Sequence, residues 1–256
     1  MLTVDCALTV TPGSDLLRHD CSMTEFGAVR VHDAVLRHVE ESLRSGAIKI
    51  GDRLPGERAL AEQFGISRAS VRNAIRSLEV MGVVRSSTGS GPNSGTVVVS
   101  NPSHALGGAL RMHVASQQLP LKDIVEARIM TETWALEHAA AVSWTPEQLD
   151  DARLLLEAMD DEGLPSEIFT LLDAQFHVAL SALAGNVVVS TMMESMREAI
   201  RDYISEAAAR QGAWEEVVHV LRAHHHGIFD AVEARDGVVA ARLVREHIDW
   251  FYGQAR

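Results

Sequence analysis

A chain of 256 residues, 46% hydrophobic and 23% charged, has the size of two ordinary domains and the composition of a soluble globular protein. No apolar run reaches the roughly 18 residues a bilayer span needs, the N-terminus lacks the basic-then-apolar order of a signal peptide, and two cysteines, Cys6 and Cys21, exclude a disulfide framework, so a cytoplasmic location is expected. The net charge of −12 argues against nucleic acid for the chain as a whole, but it is unevenly spread. Residues 24–100 carry 10 basic and 8 acidic side chains, and residues 101–256 carry 12 and 24. A slightly basic module followed by an acidic one suggests a division of labour, and basic charge gathered on one face can still meet DNA.

In chain order, residues 1–23 show no sustained period and read as a disordered tail, with Met23 a second candidate start. From Val29 to Leu43 apolar residues recur at Val31, Ala34, Val35 and Val39, a helical stripe. Residues 45–56, "SGAIKIGDRLPG", read as a turn or short strand. Residues 57–64 read as a short helix, 65–67 as a tight turn ending in the N-cap Ser67, and 68–82 as a second helix stopped by Gly82. Two β-prone runs around a Gly/Ser/Pro/Asn loop, residues 83–100, predict a hairpin. "NPSHALGG" then reads as linker, and residues 101–118 as linker with a short helix at 109–117. Six long helices follow to about residue 254, an antiparallel bundle occupying residues 119–256. The fold class expected is mainly α: a winged helix-turn-helix over 24–100, then the all-α bundle.

Two short helices joined by a Gly-containing turn are the pattern of a helix-turn-helix, whose second helix enters the major groove. Arg68, Arg72 and Arg76 recur every four residues on a face distinct from Val71, Ile75 and Leu78. The apolar side packs the helix and the basic side can meet phosphates and guanine edges. The stretch "GDRLPGERALAEQFGISRASVRNAIRSLEVMGVV", residues 51–84, resembles the winged helix-turn-helix of GntR-family bacterial transcription regulators. It carries their pattern at Gly51, Leu54, Pro55, Glu57, Arg58, Leu60, Ala61, Gly65, Ser67, Arg68, Val71, Arg72, Ala74, Leu78 and Gly82. The resemblance implies that Arg58, Ser67, Arg68, Ser70 and Arg72 contact DNA. Gly56 and Asn73 stand where the family usually has Ser and Glu, and the wing loop, residues 86–96, is longer than the family's usual one.

In the bundle, Asp173 and His177 are four apart and share a helix face, a two-ligand arm for a divalent metal. The run His224-His225-His226 cannot serve one site, because consecutive helical residues point about 100° apart. His225 has Ile228 and Val232 at i+3 and i+7, so it points inward, while His224 and His226 read as surface or rim residues. His247 lies 22 residues after His225 and the chain reverses near residues 234–237, which brings both to similar depth. These positions resemble the metal-binding FCD effector domain of the FadR-like GntR subgroup, and the resemblance implies Asp173, His177, His225 and His247 as the four ligands. Three imidazoles and a carboxylate suit zinc first, then nickel or manganese. The helix "IVEARIMTETWALEHAAA", residues 124–141, is similar to that domain's first long helix. It places Arg128 where a guanidinium would grip a small carboxylate, or else pair with Glu132. Trp134, Trp144, Trp214 and Trp250 read as bundle core or interface.

These observations predict a repressor rather than an enzyme. It binds a palindromic double-stranded DNA operator as a homodimer, with no membrane partner, and answers to a small carboxylate at a metal and Arg128. Two other readings remain open at this level: a purely structural metal with a different effector such as an acyl chain, and a metal-dependent hydrolase.

Overall fold

A computed structural model describes residues 23–87, 95–210 and 214–254. Among the described residues are ten helices and one two-stranded sheet. Of the tail read over residues 1–23, residues 1–22 lie outside the described residues, as do wing-loop residues 88–94, and Met23 opens a helix. The chain divides into two compact units, and the division passes through a helix: residues 1–48 with 55–74, and residues 49–54 with 75–256.

The first unit holds α1 (Met23–Arg44), α2 (Glu57–Phe64) and the first half of α3 (Arg68–Val80). Val35, Val39, Leu60, Ala61, Val71 and Ala74 are its buried apolar residues. His38 meets Phe64 edge-on, with ring centroids 5.1 Å apart. α2 ends because Gly65 turns left-handed at φ 64°, a conformation glycine adopts without a Cβ penalty. Ser67 then restarts the chain as a helix: its hydroxyl accepts the backbone N–H of Ser70 at 3.0 Å.

The second unit begins with the hairpin. β1 (Val84–Ser87) and β2 (Gly95–Val98) pair antiparallel with Val84 opposite Val98, and Arg53 bridges to Val97. Residues 101–108 are not a linker. They open α4 (Pro102–Ala115), which packs against α8 (Val187–Arg210). Pro102 suits a first helical turn, and one of the two glycines that suggested a loop, Gly107, serves packing instead. A Cβ on Gly107 would lie 2.7 Å from the Glu198 side chain, so only a bare backbone fits there.

The bundle comprises α5 (Leu121–Ala141), α6 (Pro146–Met159), α7 (Ser166–Ala182), α8, α9 (Trp214–Glu233) and α10 (Gly237–Gln254). Pairs joined by short connections pack on each other, α6 on α7, α7 on α8 and α9 on α10, as in an antiparallel bundle. α5 lies against α10. Caps fix the ends: Thr145 and Gln148 form a capping box on α6, and the Asn186 side chain accepts two N–H groups at the start of α8. The core runs through Leu149, Met159, Phe169, Phe176, Leu180, Met193, Ile200, Ile228 and Ile248. Among the described residues, no helix is long and apolar enough to cross a membrane.

Candidate functional site

The apolar stripe of α3 turns Val71, Ala74, Ile75 and Leu78 inward and leaves Arg68, Arg72 and Arg76 exposed. Arg72 is held side-on by Glu57, with Nε donating to Oε1 at 3.1 Å and Nη2 to Oε2 at 2.9 Å. Both residues are solvent-accessible, so this pair orients the guanidinium at little energetic cost. Ser67 and Ser70 stand at the N-terminus of α3 with hydroxyls 2.9 Å apart, and Arg58 is exposed on α2. The five residues expected at DNA are therefore all within the first unit, on α2, α3 and the turn between them.

A second group of polar side chains lies in the bundle core. Asp173 and His177 sit one turn apart on α7, His225 on α9 and His247 on α10. The three histidines are buried, and one ligand atom from each of the four residues lies within 4.8 Å of the others. Asp173 Oδ1 is 2.9 Å from His225 Nε2 and 3.6 Å from His177 Nε2, which is 3.2 Å from His247 Nε2. The contact between His225 and Asp173 is close but out of line for a hydrogen bond. Both His225 nitrogens and His247 Nδ1 thus lack partners in the core. Buried nitrogens without partners are costly. Ligands about 2.0–2.2 Å from a shared ion would stand roughly 3.3 Å apart, close to the separations seen here. The donor set therefore fits a divalent cation. Burial pushes the His225 and His247 rings below their usual values, His247 furthest because His225 and His177 face it. Neutral imidazole is the form that ligates metal.

The surrounding charges orient these ligands. Glu132 of α5 lies 2.5 Å from His177 Nδ1, a contact that leaves Nε2 facing the cluster. Its other oxygen accepts from Arg128 Nε. Burial pushes the Glu132 carboxyl up, but Arg128 and then His177 outweigh it and hold the group at about 2. Asp173 Oδ2 accepts from Arg197 of α8, and this guanidinium overcomes burial to hold Asp173 well below the carboxylate range. Arg128 Nη2, Arg197 Nε and Arg197 Nη1 have no hydrogen-bond partner. Arg128, Asp173 and His247 also line a small cavity of about 10 Å³.

The structure thus brings Asp173, His177, His225, His247 and Arg128 together, and Arg128 also makes the Glu132 pair. His226 stands outside, exposed and 3.0 Å from Asp160. His224 is half-buried, its ring centroid 5.7 Å from that of His247. Arg197 is the residue that sequence reasoning missed. Its signal was its phase, since it interrupts the buried stripe Met193, Met196, Ile200, Ile204 of α8. A charge at a core position demands a partner.

A helix-turn-helix followed by a hairpin, joined to a helical bundle with a polar ligand-competent core, defines a transcription regulator with an effector domain. The family profile "Bacterial regulatory proteins, gntR family" matches residues 32–93, and that of the FCD domain matches residues 123–249. The chain belongs to the GntR family and carries an FCD domain. It is 28% identical over 215 residues to the HTH-type transcriptional regulator LutR of Bacillus subtilis (strain 168), covering 80% of this chain and 92% of that one. It is 25% identical over 227 residues to the HTH-type transcriptional repressor NanR of Enterobacter sp. (strain 638), covering 86% and 83%. A solved structure of Streptococcus agalactiae GntR shares the fold, with a TM-score of 0.58 and 22% identity over 86% of this chain and 96% of that one. The matched domains and relatives are those of transcription regulators, not of enzymes.

Proposed function

We propose that the protein is a cytoplasmic, ligand-responsive repressor that binds a palindromic operator as a homodimer. Residues 24–100 form its DNA-binding domain and residues 119–256 the effector domain, on which α4 packs through α8. Arg68 and Arg72 read base edges and phosphates from α3, and Arg58, Ser67 and Ser70 fix its register on the backbone. Asp173, His177, His225 and His247 hold a divalent metal, zinc first and nickel or manganese next. The single observation that carries this reading is the convergence of four ligand atoms within 4.8 Å while buried imidazole nitrogens lack partners. Repression is supported by the NanR relative, itself named a repressor.

A small carboxylate is the effector class that the charges support. Buried Arg128 and Arg197 are cancelled by buried Glu132 and half-buried Asp173, so a divalent ion leaves the core with surplus positive charge. An incoming carboxylate offsets that surplus and meets the idle donors of Arg128. When bound, the metal supplies a Lewis-acidic centre with room for a ligand oxygen. DNA affinity changes only if the acid binds one arrangement of the dimer better than the other.

The test is thermal stability of metal-loaded protein against lactate, pyruvate, citrate, succinate and gluconate, followed by operator affinity with each hit. An acid at 100 times its Kd stabilises by about 2.7 kcal/mol, and Arg128→Ala is expected to remove that gain. Equal operator affinity with every acid sinks the effector claim. One observation favours a second reading, a structural metal with a different effector: the cavity beside Asp173 and His247 has room for about one water. That reading predicts unfolding on metal removal and no stabilisation by any carboxylate.

A further inference from the structure

Asn73 sits in the second turn of α3 and is exposed. Asparagine is a poor residue for a helix interior, because its short amide competes for backbone groups. Among the described residues the Asn73 side chain makes no hydrogen bond, so no contact within the fold offsets that. Its neighbours are committed: Val71 and Ala74 are buried, and Arg72 is held by Glu57. The amide of Asn73 is left facing solvent, with a donor and an acceptor side by side.

Its place round the helix is set by residues already expected at DNA. At about 100° per residue, Ser70 and Arg72 stand roughly 160° apart round α3. Val71 and Ala74, which are buried, occupy the wider arc between them. Asn73 lies in the narrower arc, roughly 60° from Ser70 and 100° from Arg72. A face that turns Ser70 and Arg72 to DNA therefore turns Asn73 to it as well. Ala69, one turn earlier and exposed, is its neighbour on that face and too short to screen it. Chemistry then selects the base. In the major groove adenine presents an acceptor, N7, beside a donor, the N6 amino group, and an asparagine amide meets both with paired hydrogen bonds. Guanine presents two acceptors, which suit an arginine instead.

We propose that Asn73 is a specificity-determining residue of the DNA-binding domain, its amide reading the N6 and N7 edge of one adenine in each operator half-site. This rests on the DNA reading of α3 above and adds a base that the arginines do not choose. Consecutive Cα atoms stand about 3.8 Å apart, close to the roughly 3.4 Å rise of one base step, so the adenine lies within about two base pairs of a guanine read by Arg72. Asn73 carries no charge. It selects sequence without adding to the salt-dependent attraction between arginines and phosphates.

The experiment is selection of bound sites from a random double-stranded DNA library by the metal-loaded full-length protein and by Asn73→Ala, followed by gel-shift titration. Wild type is expected to recover a palindrome with an adenine near a guanine in each half. Asn73→Ala is expected to recover the same palindrome with that one A·T column lost. Replacing the A·T pair by G·C in both halves should lower wild-type affinity at least about tenfold and change that of Asn73→Ala by less than about twofold. The salt dependence of binding should be the same for both proteins. Asn73→Glu, which restores the residue usual in the family, should prefer cytosine there, since a carboxylate accepts from its N4 amino group. Asn73 is exposed, so the melting temperature should not move with either substitution. An Asn73→Ala protein that discriminates as wild type does, or that weakens on all sequences alike, overturns the adenine assignment and leaves α3 a reader. If wild type recovers no common site, the DNA reading falls with it.

Discussion

The two functional regions use the same chemical pair in opposite ways. On α2 and α3, Arg72 meets Glu57 at the surface, where the pair is wet and cheap to separate. In the bundle, Arg197 meets Asp173 and Arg128 meets Glu132 with almost no exposure. There, separating a pair strands a charge in the core. The surface pair therefore holds a cation in readiness and can give it up to a phosphate or a guanine edge. The buried pairs cannot be given up cheaply, and they work by fixing the orientation of their neighbours. Solvent, rather than residue type, decides which arginine can be released to a new partner and which braces its neighbours.

The sharpest way to break this comparison is Arg197→Met. It strands Asp173 and is expected to cost about 3–5 kcal/mol in chemical denaturation of the metal-loaded protein. Acid should also find the buried half first. The folded values of His225 and His247 lie below their ordinary 6.5, and that of Glu132 lies below its ordinary 4.5. As pH falls below each ordinary value, the unfolded chain takes up protons that the folded chain refuses. Stability is thus complete above about 6.5 and lost progressively toward acid. Melting of the metal-free protein should be flat above about pH 7 and decline below it, and a flat profile down to pH 5 would contradict the assignment. Glu132→Gln keeps the size but loses the charge behind His177, so metal affinity by competition with a chelator should fall about 10–100-fold. At the surface, Arg72→Met should lower operator affinity about tenfold in a gel-shift titration and leave the melting temperature unchanged. Smallest is Ser67→Ala, which removes the α3 cap and should cost about 1 kcal/mol by denaturant titration.

Much of this was legible because it is local. Gly65 and Ser67 mark a turn and a cap within three residues, and the bounds of α2 follow from them. Asp173 and His177 share a face by spacing alone, and the inward phase of His225 shows in its apolar neighbours. The rest depends on pairs far apart in the chain. Arg197 could be seen to occupy a core position, but its partner Asp173 lies 24 residues away on another helix. The contact between Glu132 and His177 spans 45 residues. The start of α4 reads as linker because a pair of glycines signals a loop when only propensity is weighed. Burial of Gly107 against α8 supplies what propensity lacks.

That glycine has a mechanical consequence. α4 is joined to α8 at three points: Gly107 against the Glu198 side chain, the Ser195 hydroxyl on the Ser103 carbonyl at 3.2 Å, and Arg111 on Glu198. All three fall within one turn of Arg197 on α8. The joint has no clearance, because even a methyl group at 107 would act as a wedge. A shift of α8 at this joint would press on α4 through backbone and side chain alike.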